Sequence, residues 1–252
     1  MQNNIQNIIN SAFNLVQSLR DIIIAGPATG SKEFTYSAVM PYANYSPWLT
    51  DSAFQSIYQQ IKSHTLVDQY RLYELWQLCE QLQHIAGDVL EVGVWKGGSA
   101  VLLANKFTSL NMALNVYAAD TFKGVVKVTG EDPSYKGGEH HETSEALVQA
   151  LAQQVNQQPL NILSGIFPED TAYLVDKNRF RLIHIDVDIY QSAKDVFDWA
   201  WPRLNIGGMV VFDDYGFSTC QGITKLVNSY QNSPDKIVIH NLNGHALIIK
   251  LA

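Results

Sequence analysis

DVLEVGVWKGGSA, residues 88–100, is the stretch whose reading decides the fold. A short apolar run from Val89 to Val92 stops at Gly93, and Gly97-Gly98-Ser99 then leads into a second apolar segment, Ala100 to Phe107. That is the pattern of a buried strand, a glycine turn and a helix. Working outward, three more runs follow the same scheme: YAAD (117–120), LIHIDVDIY (182–190) and GGMVVFDDY (207–215). The second strand, Val116 to Ala119, ends at Asp120, and a helix over 142–157 leads to a third strand, Leu160 to Leu163. Strand four, Leu182 to Asp186, precedes a helix over 192–204; strand five, Met209 to Phe212, precedes one over 219–230. Two closing runs, 236–240 and 246–251, flank Asn243-Gly244 and predict an antiparallel hairpin. Alternating strands and helices predict an α/β fold, a doubly wound, Rossmann-like and mostly parallel sheet with that hairpin at its end.

Upstream, residues 1–64 read as a helical and loop extension and 65–252 as the sheet domain. Ile5, Ile8, Ile9, Phe13, Val16, Leu19 and Ile23 recur at helical spacing, a stripe suited to packing on the body of the protein or on a second copy in a homodimer. Gly26, Pro27 and Gly30 break that helix, and an aromatic loop follows through Met40-Pro41-Tyr42 to Pro47-Trp48, either covering a ligand or anchoring the connection. Helices are predicted over 51–63 and 66–85. The second starts from a cap at Thr65 and turns Leu66, Tyr70, Tyr73, Trp76 and Leu82 toward a core. With 252 residues, 46% hydrophobic and 16% charged, the chain has room for one large core. A net charge of -7 opposes non-specific nucleic-acid binding. No segment suits a bilayer, the first residues lack a secretory pattern, and Cys79 and Cys220 fit neither a disulfide framework nor a zinc motif. A cytoplasmic protein without membrane partners is expected.

Ligands of such sheets bind beyond the carboxyl ends of the strands, so the residues there carry the chemistry. The turn from Glu91 to Ser99 offers a close backbone approach and free N–H groups at a helix start. Asp120, 29 positions after Glu91, stands where a carboxylate would accept ribose hydroxyls. The turn reads G-x-x-x-G-G rather than the G-x-G-x-x-G of dinucleotide folds. Asp186, Asp188, Asp213 and Asp214 close strands four and five. Adjacent, they would repel one another, and an oxygen-seeking cation such as Mg²⁺ would relieve that; singly, each would cap the next helix. Residues 123–141 form either a lid or a disordered loop. Within them, His140 and His141 lack the companions of a zinc site. His184 reads as a satisfied core histidine.

LEVGVWKGGSA, the Asp120 strand, LSGIFPED (163–170), HIDVDIYQSAKD and GGMVVFDDYG together resemble metal-dependent class I S-adenosylmethionine O-methyltransferases, most of all the macrocin O-methyltransferase type, which acts on hydroxyls of antibiotic sugars. The resemblance runs from about residue 65 to 230. It implies that Glu91, Gly93 and Ser99 face the methionine part of the donor, that Asp120 holds its ribose, that Gly165 and Ile166 border the adenine, and that Trp95 and Thr121 also bind the donor. It implies a Mg²⁺ (or other divalent cation) site at Asp186, Asp213 and Asp214, with Asp186, itself also beside the donor, or Asp188 as the base. Catechol-type relatives carry a lysine where this chain has Ile189, so the base passes to a carboxylate or to the metal.

The expected reaction is methyl transfer to a hydroxyl of a small molecule, foremost a natural-product sugar, with a phenol or peptide product behind it. On this reading Asp213→Ala abolishes activity and leaves the fold intact. Two alternatives are an NAD-dependent oxidoreductase and a non-catalytic binding protein that keeps the fold. The glycine spacing and the lack of a Tyr-x-x-x-Lys pair oppose the first; the four retained aspartates oppose the second.

Overall fold

The structure is a computed structural model that describes residues 2–24, 29–30, 34–37, 43–156, 160–241 and 243–252. It divides into two compact units, Met1–Ser46 and Pro47–Ala252. The first unit holds helix α1 (Gln2–Ile24) and a two-strand ribbon of Thr29–Gly30 with Thr35–Tyr36. Gly26, Pro27 and the Met40-Pro41-Tyr42 part of the aromatic loop lie outside the described residues. No helix among the described residues is long and apolar enough to cross a membrane.

The second unit begins with α2 (Ser52–Ile61) and α3 (Gln69–Gln81). It continues β1 (Asp88–Val92), α4 (Gly98–Ser109), β2 (Val116–Asp120), α5 (Glu145–Asn156), β3 (Asn161–Ser164), β4 (Phe180–Ile185), α6 (Tyr190–Ala200), β5 (Leu204–Phe212), α7 (Gln221–Ser229), β6 (Lys236–His240) and β7 (Ala246–Lys250). The seven strands lie in the order β3-β2-β1-β4-β5-β7-β6. The first five are parallel, and β7 and β6 close the sheet as the predicted antiparallel hairpin.

Period-2 alternation along the strands feeds two cores. Val89, Leu182, Val211 and Leu247 face the layer of α2 to α5, while Leu90, Ile183, Val210 and Ile248 face that of α6 and α7. Residues two positions from the first set share its face. Glu91, His184, Asp213 and His245 therefore run as a polar row across the side of the sheet that α3 covers.

Helix α3 differs from its sequence reading. Asp68, not Thr65, is the cap, its carboxylate accepting from Tyr70 N (2.8 Å) and Arg71 N (3.1 Å). Thr65 makes a turn before the helix, accepting from Val67 N at 3.0 Å. Trp76 and Leu82 are buried as read, together with Leu72, Leu75 and Cys79, whereas Leu66 and Tyr70 are exposed. Trp48 packs edge-on to Tyr70, centroids 4.9 Å apart, as the anchoring reading of that loop requires.

Each strand end is tied to its neighbour by one bond beyond the ladder: Gly165 N to Asp120 O, Gly93 N to Ala119 O, Asp186 N to Val92 O and Asp213 N to Ile185 O, all 2.8–2.9 Å. Gly93 is the tightest joint. Its φ is +91°, and a Cβ there would sit 1.6 Å from the carbonyl oxygen of Asp186. Gly216 has a similar φ, +88°, with nothing within 4 Å. Gly93→Ala is therefore expected to cost about 3 kcal/mol or more, and Gly216→Ala about 1 kcal/mol of backbone strain alone. Urea unfolding of the two variants compares them; equal losses would remove the close approach as the reason for a glycine at 93.

Candidate active site

The strand order reverses between β1 and β4, and a cavity of about 290 Å³ opens there, at the carboxyl ends of the parallel strands. Its walls include Gly93, Trp95, Ser99, Asp120, Thr121, Gly165 and Ile166 on one side and Asp186, Asp188, Asp213 and Asp214 on the other. Of the residues read as donor-binding, only Glu91 does not line it. Glu91 lies fully buried behind the wall, its Oε1 2.8 Å from His184 Nδ1 and its Oε2 without a partner.

The glycine turn is held by Asp120. Its two carboxylate oxygens accept from Trp95 N (2.8 Å) and Phe122 N (2.7 Å). Burial nonetheless outweighs these backbone donors and pushes its pKa up. Thr121 Oγ1 donates to Gly124 O at 3.0 Å and accepts from Lys123 N, closing the next turn. The carbonyl of Trp95 accepts from Thr143, while its indole N–H is buried without a partner.

Residues 123–141 are ordered against the body, with Gly124, Val125, Val126 and His140 in the cavity wall. Asp132, buried, accepts from Tyr190 N (2.9 Å) and Thr129 Oγ1 (3.1 Å), Ser192 Oγ donates to Val126 O (3.0 Å), and Tyr135 O–H donates to Asp188 (2.8 Å).

On the acidic side, Asp186, Asp213 and Asp214 each place a carboxylate oxygen within 4.8 Å of the others. Their environments differ sharply. Burial and the charges of Asp213 and Asp214 push the carboxyl of Asp186 well above the ordinary range. Asp214 is raised likewise by burial, Asp213 and Asp188, and its Oδ2 has no partner. Asp188, at a φ of +65°, is raised by burial despite Tyr135 and His140. Burial works on Asp213 too, but His184, His245 and Arg71 outweigh it and hold its carboxyl far below the usual carboxylate range. Arg71 donates to Asp213 Oδ2, and His245 Nε2 lies 2.7 Å from Oδ1. Burial alone would lower the pKa of His184; Asp213 and Glu91 carry it up to about 9. It is buried in the core, as the strand pattern suggests, with its Nδ1 2.8 Å from Glu91 Oε1.

Arg71, Glu74 and His245 escaped the sequence reading. A signal was present: Arg71 and Glu74 are three apart and so share one helical face. What the sequence did not display is that β7 would bring His245 under that face.

The glycine turn, the acidic residue of β2 and the carboxylates of β4 and β5 share one cleft, and the comparisons agree with that assembly. Residues 55–240 match the model of the macrocin-O-methyltransferase (TylF) family. The chain belongs to that family. It is accordingly an S-adenosylmethionine-dependent O-methyltransferase of class I fold. Similar curated proteins include mycinamicin III 3''-O-methyltransferase of Micromonospora griseorubida, 28% identical over 70% of this chain and 74% of that one. Others are a 4'-O-methyltransferase of a rhamnosyl-tetracenomycin C from Streptomyces olivaceus (29%, 63% and 65%) and demethyldecarbamoylnovobiocin O-methyltransferase of Streptomyces niveus (28%, 61% and 63%). The last two matches thus span less than two thirds of the relatives' lengths. Among solved structures, the O-methyltransferase NovP shares the fold at TM-score 0.66 and 22% identity, over 75% of this chain and 83% of that one. A calicheamicin methyltransferase does so at 0.59 and 16%, over 89% and 98%. Neither the oxidoreductase nor the non-catalytic alternative is favoured by these relatives.

The acidic cluster makes a stability prediction at odds with an expendable Asp213. Removing its charge strands the buried Arg71, so Asp213→Asn is expected to cost about 3 kcal/mol in metal-free buffer. Asp214→Asn relieves repulsion and is expected to be neutral or stabilising. Urea unfolding in EDTA decides this; the reverse order would contradict the charge assignment.

Proposed function

We propose that this methyltransferase modifies a sugar hydroxyl of a glycosylated natural product and depends on a divalent cation, with the donor in the Gly93–Asp120 half of the cleft and the cation in the Asp186–Asp214 half. The observation that carries the cation is the crowding of Asp186, Asp213 and Asp214, with Asp214 Oδ2 lacking a hydrogen-bond partner. Oxygen donors at this spacing fit Mg²⁺, which takes two or three carboxylates and fills its other positions with water or substrate. The sugar acceptor rests on the relatives, of which one is named for a rhamnosyl substrate and another for a 3''-hydroxyl of mycinamicin III.

When bound, S-adenosylmethionine supplies the sulfonium methyl group, and the cation supplies Lewis acidity that makes a hydroxyl more acidic. The chain's own part is chiefly positioning, since an in-line displacement rewards two well-placed reactants. Asp120, Thr121 and the turn at Gly93 to Ser99 hold the donor, and Gly165 and Ile166 flank its base. Glu91 supports this wall from behind through His184. Asp186 and Asp188 both face the cavity, which suits either as acceptor of the hydroxyl proton. Phe217 and the 123–141 segment line the cavity and would shield the acceptor from water.

Methyl transfer from labelled S-adenosylmethionine is expected to a glycoside and not to its aglycone, to stop in EDTA and to return with Mg²⁺. Equal labelling of the aglycone would overturn the sugar assignment, and EDTA-insensitive turnover the cation. Asp120→Ala is expected to weaken S-adenosylhomocysteine binding about tenfold or more, by loss of a charged acceptor. Unchanged affinity in calorimetry would remove Asp120 from the donor site.

A further inference from the structure

The polar row under α3 contains more than the cleft needs for its walls. Glu74 does not line the cavity, and neither does His245, which is fully buried and lies beyond the 55–240 stretch that matches the family. The two are joined: His245 Nδ1 is 2.5 Å from Glu74 Oε2. Glu74 is itself fixed by the hairpin turn, accepting from Asn241 and, at 3.2 Å, from Asn243. Asn243 Oδ1 in turn accepts from the backbone N–H of His245 at 3.0 Å. One ring nitrogen of His245 is thus committed to a carboxylate, and the other faces Asp213 Oδ1 at 2.7 Å. On the opposite oxygen, Arg71 donates to Asp213 Oδ2 while its own Nε is held by Asp68 at 2.9 Å.

We propose that Glu74–His245 and Arg71–Asp68 form a two-armed clamp that orients the Asp213 carboxylate toward the cation, making Glu74, His245 and Arg71 positioning residues for the methyl transfer. The inference rests on the cation reading given above. A carboxylate bonded at Oδ2 by Arg71 and faced at Oδ1 by an anchored His245 resists rotation away from Asp186 and Asp214, and the charge it shares with Arg71 lessens the repulsion among the three when no cation is bound. Partners of this kind, one step behind a ligand, fix its geometry and its basicity. Both arms reach Asp213 from outside the β4–β5 pair that carries it: one through the hairpin, one through α3. The arrangement therefore ties formation of the cation site to docking of both elements.

Mn²⁺ binding to the full chain, counted by paramagnetic resonance, with S-adenosylhomocysteine affinity measured in parallel, tests the clamp. Glu74→Gln and His245→Leu are each expected to weaken Mn²⁺ binding on the order of 10–100-fold while S-adenosylhomocysteine affinity stays as in the parent. His245→Gln, which keeps a donor nitrogen at a similar reach, is expected to recover most of the loss. Glu74 is half-buried at the edge of the network and Glu74→Gln preserves its shape, so that variant reports on the clamp even if His245→Leu fails to fold. Parental Mn²⁺ affinity in Glu74→Gln overturns the proposal, as does an equal fall in both affinities, which would indicate a general loss of structure. A parent protein that binds S-adenosylhomocysteine but no Mn²⁺ would instead overturn the cation reading itself.

Discussion

The buried contact between Arg71 and Asp213 is the constraint on which the rest of the structure depends. Two unit charges withdrawn from water cost several kcal/mol each, and only a close, multiply bonded pair recovers that cost. Here the pair is embedded in a row that spans the sheet: Glu91, His184, Asp213, His245 and Glu74, with Arg71 above. These contacts form together only if β1, β4, β5, the hairpin and α3 are all in place. Hydrophobic packing alone would tolerate small slips of α3 along the sheet; a salt bridge with fixed partners does not. The network therefore sets the register of the covering helix, and with it the shape of the cleft that α3 helps to wall.

The same row explains why adjacent carboxylates behave differently. Asp213 and Asp214 are neighbours in sequence, yet the first is held ionised by cations and the second is pushed toward its neutral form by burial and like charge. Strand alternation is the cause. Asp213 continues the face of β5 that α3 covers, where Arg71 and the histidines wait. Asp214, at a φ of +63°, has left the strand and turns its carboxylate toward Asp188 and Cys220. Anchored and free carboxylates side by side suit the proposed cation site: Asp213 would be fixed in advance, and the others would gain most when a cation arrives.

Much of this was legible in the sequence, for reasons that are local. Short apolar runs ending in glycine or aspartate gave the five parallel strands, and Asn243-Gly244 between two apolar runs gave the hairpin. The four aspartates could be placed together because β4 and β5 are consecutive strands of such a sheet. What was not legible depends on pairings between distant segments. Thr65 and Asp68 are equally good caps in isolation, and only the packing of Leu72, Leu75 and Trp76 chooses between them. His184 looked like a core residue because its strand is apolar; that Glu91 and Asp213 flank it follows from strand order and register. His245 gave no signal at all, since its partner Glu74 lies 171 residues away.

On this reading the β4 and β5 carboxylates form a cation site beside the donor, with Asp213 held in place by Arg71. A crystal structure with S-adenosylhomocysteine and Mn²⁺ tests it most directly. An anomalous peak within coordination distance of Asp186, Asp213 and Asp214 is expected, with Arg71 still on Asp213 and the nucleoside over Asp120. An ordered nucleoside in the cleft with no peak at these carboxylates, or with Asp213 turned away toward Arg71 alone, would contradict it.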